Sequence, residues 1–349
     1  MMPKIAIIIV TYNARAYLPD LVKSLAKLVY DFKAYRVVVV DNASTDETLA
    51  YWRAHYPRAY LLPQKINLGF AGGNNVGLRW ARANGFDYAF LLNQDTIADP
   101  HCLRELVAVG ERYPKAGAIQ AKILLHPSTT HINSRGNAIH FLGYGYAMGY
   151  KEKNHRGVPD QRVAYASGAA VMLKMKIIKE IGFFDERFFM YHEDLDLGWR
   201  LLLRGYQSWL AAKAVVYHKY EFSRSIKKYY YMERNRHLTI LQNYKRLTLL
   251  VILPAWLLME VGSLFFAFRG GWWRSKLNAY AYFLSPKVWR VTWRIRRQRQ
   301  KTRVVLDREI APYFTGAILS QEIQNPLLVY VVNPLFNFYW SLLKKIMFW

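Results

Sequence analysis

The sequence predicts an α/β protein: a doubly wound, mainly parallel sheet over residues 1–222, then a helical, basic and aromatic region over residues 223–349. Three observations predict it. Two β-branched runs, Ile5 to Val10 and Arg36 to Val40, have the composition of strands buried on both faces. Helix-spaced apolar residues alternate with them, the pattern of βα units. The charge, finally, is uneven: from Lys219 onward 22 Lys/Arg stand against 6 Asp/Glu, in a chain whose net charge is +25.

The elements follow in order. Ile5 to Val10 stops at Thr11-Tyr12-Asn13, where polar residues end the strand. The run is too short for a secretory signal and reads as β-structure. Leu18, Leu21, Val22 and Leu25 then fall at helix spacing. The second strand ends at Asp41, and Asn42-Ala43-Ser44-Thr45-Asp46 reads as a turn feeding a helix N-terminus. A glycine-rich stretch, Asn67 to Gly77, opens the next helix. It lacks the Gly-Lys-Ser/Thr of a Walker loop, while its glycines suit close approach of backbone to a ligand and the helix start suits an anion. A third strand, Asp87 to Leu92, ends in Asn93-Gln94-Asp95. Ligands of doubly wound sheets gather beyond the carboxyl ends of the strands. Three strands thus deliver polar groups to one edge.

Further on, Ser167-Gly168-Ala169-Ala170 opens a hydrophobic segment, and Asp185 to Arg200 is the densest polar cluster of the chain. Glu193, Asp196 and Arg200 fall at i, i+3 and i+7 on one helix face, with Arg204 a turn beyond, whereas Asp194 points elsewhere. That spacing by itself fits a salt-bridged amphipathic helix. His218 closes the apolar run Ala214 to Tyr217, and a strand-end histidine taken alone is usually structural. The single cysteine, Cys102, excludes an intrachain disulfide framework and fits a reducing compartment.

The C-terminal region changes character. Leu249 to Phe268 is 20 residues long with one charge, Glu260, close to the length that spans a bilayer. Pro254, Glu260, Gly262 and Ser263 favour an interfacial or re-entrant placement over a span, because a carboxylate in lipid is costly. Arg269 to Arg303 holds 11 Lys/Arg, no acids and four Trp, with Arg290, Arg294, Arg297 and Lys301 on one helical stripe. A basic, Trp-bordered helix suits an anionic membrane surface. The same composition would also suit nucleic acid. The apolar flanks, Leu249–Phe268 and Leu327–Trp349, oppose that reading, and no nucleic acid is expected as a partner.

Together, and in this order, these motifs resemble the inverting glycosyltransferases of family 2, which have the GT-A fold, over roughly Lys4 to Tyr244. The nearest likeness is to the bacterial rhamnosyltransferase-like and galactofuranosyltransferase-like branches. The resemblance implies a nucleotide pocket lined by Thr11, Tyr12 and Asn13, with Asp41 on the nucleobase or ribose. It lays Asn67, Gly69, Gly73 and Asn74 along the nucleotide sugar. The family's metal-binding Asp-x-Asp corresponds to Asn93-Gln94-Asp95, which leaves Asp95 as its only carboxylate, and His218 stands at the place of a later metal ligand for Mg²⁺ or Mn²⁺. Asp194 would be the general base, with Glu193 orienting it. Gly168, Trp199, Arg200, Arg234 and Asn235 fall where the family meets the acceptor or a diphosphate. The implied reaction transfers a sugar, L-rhamnose from dTDP-rhamnose, to a polyprenyl-diphosphate-linked saccharide; a galactofuranosyl or other hexosyl donor is the alternative. The implied location is the cytoplasmic face of the bacterial inner membrane, with peripheral or monotopic attachment.

Overall fold

The computed structural model describes residues 2–155, 157–220, 229–319 and 326–349. The chain divides into two compact units, one of Met1–Asn137, Ala147–Leu201 and Tyr206–Tyr220, the other of Ala138–Tyr146, Leu202–Gly205 and Glu221–Trp349. The boundary expected between residues 222 and 223 lies outside the described residues.

The first unit begins β1 (Ile5–Thr11), α1 (Leu18–Leu25), β2 (Tyr35–Asp41), α2 (Thr48–His55), β3 (Tyr60–Pro63), α3 (Gly69–Ala83) and β4 (Tyr88–Leu92). It continues with β5 (Thr96–Ala98), α4 (Cys102–Arg112), β6 (Ala116–Leu125) and β7 (Ile132–Ser134). After the short strands β8 (Asn137–His140) and β9 (Gly145–Ala147) come β10 (Gln161–Val163), β11 (Ala170–Lys174), α5 (Met175–Ile181), α6 (Glu193–Leu203) and β12 (Gln207–His218). The main sheet runs β10-β12-β6-β11-β4-β1-β2-β3. Strands β1 to β4 are parallel neighbours, and β6 is parallel to β12. Strand β11 is antiparallel to both β4 and β6, so β6 and β12 point the same way as β1 to β4. The sheet is therefore mainly parallel, with its carboxyl ends on one edge.

The buried runs behave as their composition requires. Ile5, Ala6, Ile7, Ile8 and Ile9 are all fully covered. Ile5, Ile7 and Ile9 enter the core that holds Leu21 and Leu103, whereas Ala6 and Ile8 enter the one that holds Leu78 and Leu201. This is the two-sided burial of a parallel sheet. The edge strand β3, absent from the sequence reading, is short, half-exposed and ends in proline, so no apolar run betrays it.

The second unit contains α7 (Tyr229–Asn243), α8 (Arg246–Arg269), α9 (Trp273–Tyr282), α10 (Pro286–Thr302), α11 (Asp307–Ile310) and α12 (Asn333–Ile346). Around residues 138–146 a three-stranded sheet, in the order of β13 (Phe314–Thr315), β8 and β9, joins it. Among the described residues α8 is the one helix long and apolar enough to cross a membrane. Its exposed side chains include Leu250, Leu257, Leu258, Val261 and Phe265. Glu260 turns the other way: Lys276 Nζ reaches its carboxylate at 2.8 Å, Arg236 contacts it, and the Tyr280 hydroxyl donates to it at 2.5 Å. The charge that argued against contact with lipid is thus satisfied inside the helical unit. On α10, Arg290, Arg294, Arg297 and Lys301 are all exposed.

Candidate active site

The loops at the carboxyl edge are tied to one another by side chains. Thr11, at the end of β1, donates from Oγ1 to Asp41 Oδ1 at 2.9 Å. Asp41, 1% exposed, also accepts from the Ser44 hydroxyl (2.5 Å) and backbone N–H (3.0 Å). Asn13, at φ +47°, accepts from the Thr45 N–H, and Gln94 accepts from the Tyr12 N–H at 2.8 Å. The three polar strand ends therefore form one hydrogen-bonded platform, with the Tyr12 ring half-exposed above it. Ser44 is a member that the sequence reading left in a turn. Its signal was the Asx-type register of Asp41 and Ser44, three residues apart.

The glycine-rich stretch plays a different part from the one expected. Helix α3 begins at Gly69 itself, whose N–H is capped by Asn67 Oδ1 at 2.8 Å. A Cβ on Gly73 would stand 2.7 Å from Val10 Cγ1, and one on Gly77 would stand 2.4 Å from Ile8 Cγ2. These glycines let the helix lie close on β1, with Gly73 packed on Val10. Asn74 donates to the Phe70 carbonyl at 2.9 Å. Gly69, at φ +69°, meets the Phe189 carbonyl, which also accepts from Ala71 N–H.

Asp95 and His218, 123 residues apart in sequence, meet because β5 pairs antiparallel with the end of β12, in the register His218↔Thr96. His218 Nε2 lies 3.2 Å from Asp95 Oδ1. The other ring nitrogen, Nδ1, is 3.0 Å from Asn133 Oδ1, a position that sequence reasoning missed. An amide oxygen only accepts, so Nδ1 is the donor to Asn133, which leaves Nε2 as the nitrogen that a cation beside Asp95 would take. Two ligands about 2.1 Å from one cation and at right angles stand about 3 Å apart. The pair therefore fits two adjacent positions of a Mg²⁺ or Mn²⁺ shell, with Asn133 fixing the imidazole from behind. Asn93 is held through its backbone, its N–H donating to the Ala169 carbonyl.

A second cluster of metal-ligand type, Glu233, His237 and Glu260, lies in the helical unit. Its carboxylates are already neutralised by Arg236 and Lys276, so it calls for no cation.

Helix α6 begins at Glu193, right after a run of backbone rarely adopted by L-residues: Phe189, Tyr191 and His192 have φ of +61°, +67° and +67°. Each such residue costs about 1–3 kcal/mol unless its surroundings enforce it, and such strain gathers at functional sites. Asp194 Oδ2 accepts from Gly168 N–H at 3.0 Å and Oδ1 from Leu195 N–H at 2.7 Å. Burial raises its pKa, and the two N–H donors oppose that shift. Glu193 is 5% exposed, and its Oε2 has no hydrogen-bond partner. Burial, then the neighbouring Asp194, pushes its pKa well up.

Three residues expected at the acceptor or diphosphate are engaged within the protein. The Gly168 N–H is taken by Asp194. Trp199 is fully buried. Arg200, 6% exposed, donates to Asp196 (2.9 Å) and to the carbonyls of Ile181, Gly182 and Phe183 (3.0, 3.0 and 2.9 Å), which occupies its guanidinium within the protein. The ladder expected among Glu193, Asp196 and Arg200 reduces to the Asp196–Arg200 pair. Arg234 and Asn235 lie on α7, where Arg234 donates to Asn235 Oδ1 at 2.8 Å and stands over the rings of Tyr230, Tyr231 and Tyr282.

Comparison with known proteins accords with this arrangement. The family model for glycosyl transferase family 2 matches residues 6–182, half of the chain. The N-acetylglucosaminyl-diphospho-decaprenol L-rhamnosyltransferase of Mycobacterium tuberculosis is 29% identical over 239 residues, which are 61% of this chain and 75% of that one. TarS of S. aureus, residues 1–349 in complex with UDP-GlcNAc, superposes with a TM-score of 0.51 at 17% identity, covering 98% of this chain and 90% of that one. The mannosyltransferase PcManGT of Pyrobaculum calidifontis, in complex with GDP-Man and Mn²⁺, gives 0.50 at 16% identity over 86% of each chain. At those identities the two structures speak for the fold alone, which is GT-A. The chain belongs to glycosyl transferase family 2, and it is a glycosyltransferase.

Proposed function

We propose that this glycosyltransferase is inverting and dependent on a divalent metal, and that it moves L-rhamnose from dTDP-rhamnose to a saccharide carried on a polyprenyl diphosphate. The observation that carries the reading is a metal-fitting pair, Asp95 and His218, on the same sheet edge as a buried, N–H-oriented carboxylate, Asp194. The sugar and the lipid-linked acceptor are those in the name of the mycobacterial relative, and dTDP as the sugar's carrier follows from the family resemblance. Asp41 and Thr11, with Tyr12, Asn13, Asn93 and Gln94 around them, would hold the nucleotide. Asn67 and Gly69 would set the start of α3 beside the sugar.

Transfer leaves a nucleoside diphosphate whose charge must be met as the glycosidic bond breaks. A cation held by Asp95 and His218 would supply Lewis-acid stabilisation of that charge. The acceptor hydroxyl forms the new C–O bond from the face opposite the leaving group, and its proton passes to Asp194. A carboxylate whose pKa is raised by burial is the better base near neutral pH. Glu193, protonated, leaves Asp194 free of a second negative charge. The exposed leucines of α8 and the basic stripe of α10 support attachment at the cytoplasmic face of the bacterial inner membrane.

The test is a donor and acceptor screen on the full chain with Mn²⁺ or Mg²⁺. Rhamnosyl transfer to N-acetylglucosaminyl-diphospho-decaprenol is expected, lost in Asp95→Ala and on chelation. Asp194→Asn is expected to lower kcat by about 10²–10⁴-fold while dTDP still binds. Full turnover by Asp194→Asn would remove it as the base, and transfer of another sugar would replace the rhamnosyl assignment.

A further inference from the structure

Strand β6 carries a side chain that no described residue engages. Lys122 is 8% exposed, yet among the described residues it makes no hydrogen bond, ion pair or ring contact. Burial lowers its pKa, and no nearby acid offsets the shift. An ammonium held this way forgoes most of its hydration and gains no partner among the described residues, which is an unfavourable state unless a ligand supplies the partner.

Its position says what that ligand is. Successive strand residues alternate faces. Ile119, Ala121 and Ile123 enter one core, whereas Ala118 enters the other, beside Leu197 and Leu201 of α6. Gln120 and Lys122 share the Ala118 face. Gln120 Oε1 accepts from Ser167 N–H at 2.8 Å, one residue before the Gly168 N–H that holds Asp194. Lys122 lies about 7 Å further toward the carboxyl edge. Three residues beyond it, Leu125 pairs with His218. The free amine therefore stands on β6 between the level of the base and the level of the metal pair, facing the α6 side.

We infer that Lys122 is a substrate-binding residue whose ammonium takes a phosphate oxygen of a substrate diphosphate, the donor's or the acceptor's. The inference rests on the function proposed above. A lysine serves phosphate as a compact point charge, and this one is held ready by a covered stem.

Lys122→Met keeps the stem and deletes the charge. Because the amine has no partner among the described residues, the variant is expected to melt at or above the wild-type temperature while transfer falls about ten- to a hundredfold, the loss of one charge-assisted hydrogen bond. Lys122→Arg restores part of the activity. If the donor diphosphate is the ligand, the Kd for dTDP with Mn²⁺ rises in Lys122→Met. If the acceptor diphosphate is, the Kd for dTDP stays and the KM for N-acetylglucosaminyl-diphospho-decaprenol rises. Wild-type values for both constants, or a fall in melting temperature that parallels the loss of activity, would overturn the inference. Asp95→Ala run alongside separates the two levels. Loss there with an unaffected Lys122→Met removes only the role of Lys122, whereas wild-type turnover in Asp95→Ala removes the proposed function itself.

Discussion

At the scale of single residues, the adjacent acids Glu193 and Asp194 divide their roles by environment. Both are buried, but two backbone N–H groups hold the Asp194 carboxylate, while Glu193 keeps an unpartnered oxygen. Glu193→Gln replaces a protonated acid by its neutral isostere, so kcat at neutral pH is expected to stay within about threefold of wild type, against the loss of 10²-fold or more in Asp194→Asn. Its effect on stability has a definite sign. A carboxyl whose folded pKa is raised favours the fold below its unfolded pKa and loses that contribution as pH climbs toward the folded value. The melting-temperature advantage of Glu193→Gln over wild type should therefore widen from pH 5 to pH 8. An advantage that shrinks over that interval would mean that Glu193 is ionised. His218 illustrates the same dependence on neighbours: its tautomer is set by Asn133, which lies on another strand.

At the scale of elements, helix α6 joins chemistry to scaffold. Its first turn carries the two acids, and one turn on, Asp196 and Arg200 bind the helix to the segment that follows α5. Asp196 is fully buried, so Arg200→Ala takes the guanidinium from a buried carboxylate and removes three hydrogen bonds to carbonyls. Breaking such a pair costs about 3–5 kcal/mol. The expected readout is a lower unfolding midpoint in denaturant, with the KM for acceptor little changed in the protein that remains folded. A raised acceptor KM with an unshifted midpoint would return Arg200 to substrate binding. The turn before α6 shows why the helix start is rigid: three left-handed residues, Phe189, Tyr191 and His192, are held against the glycine-started helix α3 through the Phe189 carbonyl. Gly69 belongs to that contact, since a Cβ there would lie 2.4 Å from the Phe189 oxygen.

At the scale of the whole molecule, most of the net positive charge and most of the large exposed apolar side chains belong to the helical unit. The exposed cations Arg290, Arg294, Arg297 and Lys301 lie on α10, and the exposed leucines Leu250, Leu257 and Leu258 on α8. The full chain is expected to float with vesicles rich in anionic lipid at low salt. Changing the four cations to Gln should weaken that binding a hundredfold or more, at about 1 kcal/mol for each cation near the surface. Leu257→Glu with Leu258→Glu should weaken binding to neutral vesicles as well. Undiminished flotation of both variants would assign attachment to another surface.

The sequence by itself determined the α/β class, the strands β1, β2 and β4, and the edge on which Asp41 and Asp95 gather. Local composition suffices there, because a strand buried on both faces must be apolar along its length and must end where polar residues begin. It also located Asp194 and His218, through the ordered motifs. It did not reach Asn133, Ser44 or Lys122, whose identities are ordinary and whose meaning lies in what stands opposite them. Only the tertiary structure decided that Asp95 meets His218, since that contact rests on β5 pairing with β12 across 123 residues. Only it showed Arg200 bonded within the protein, Trp199 buried and Gly73 packed on β1. A guanidinium, an indole or a glycine is equally suited to ligand or to protein, and burial selects between them.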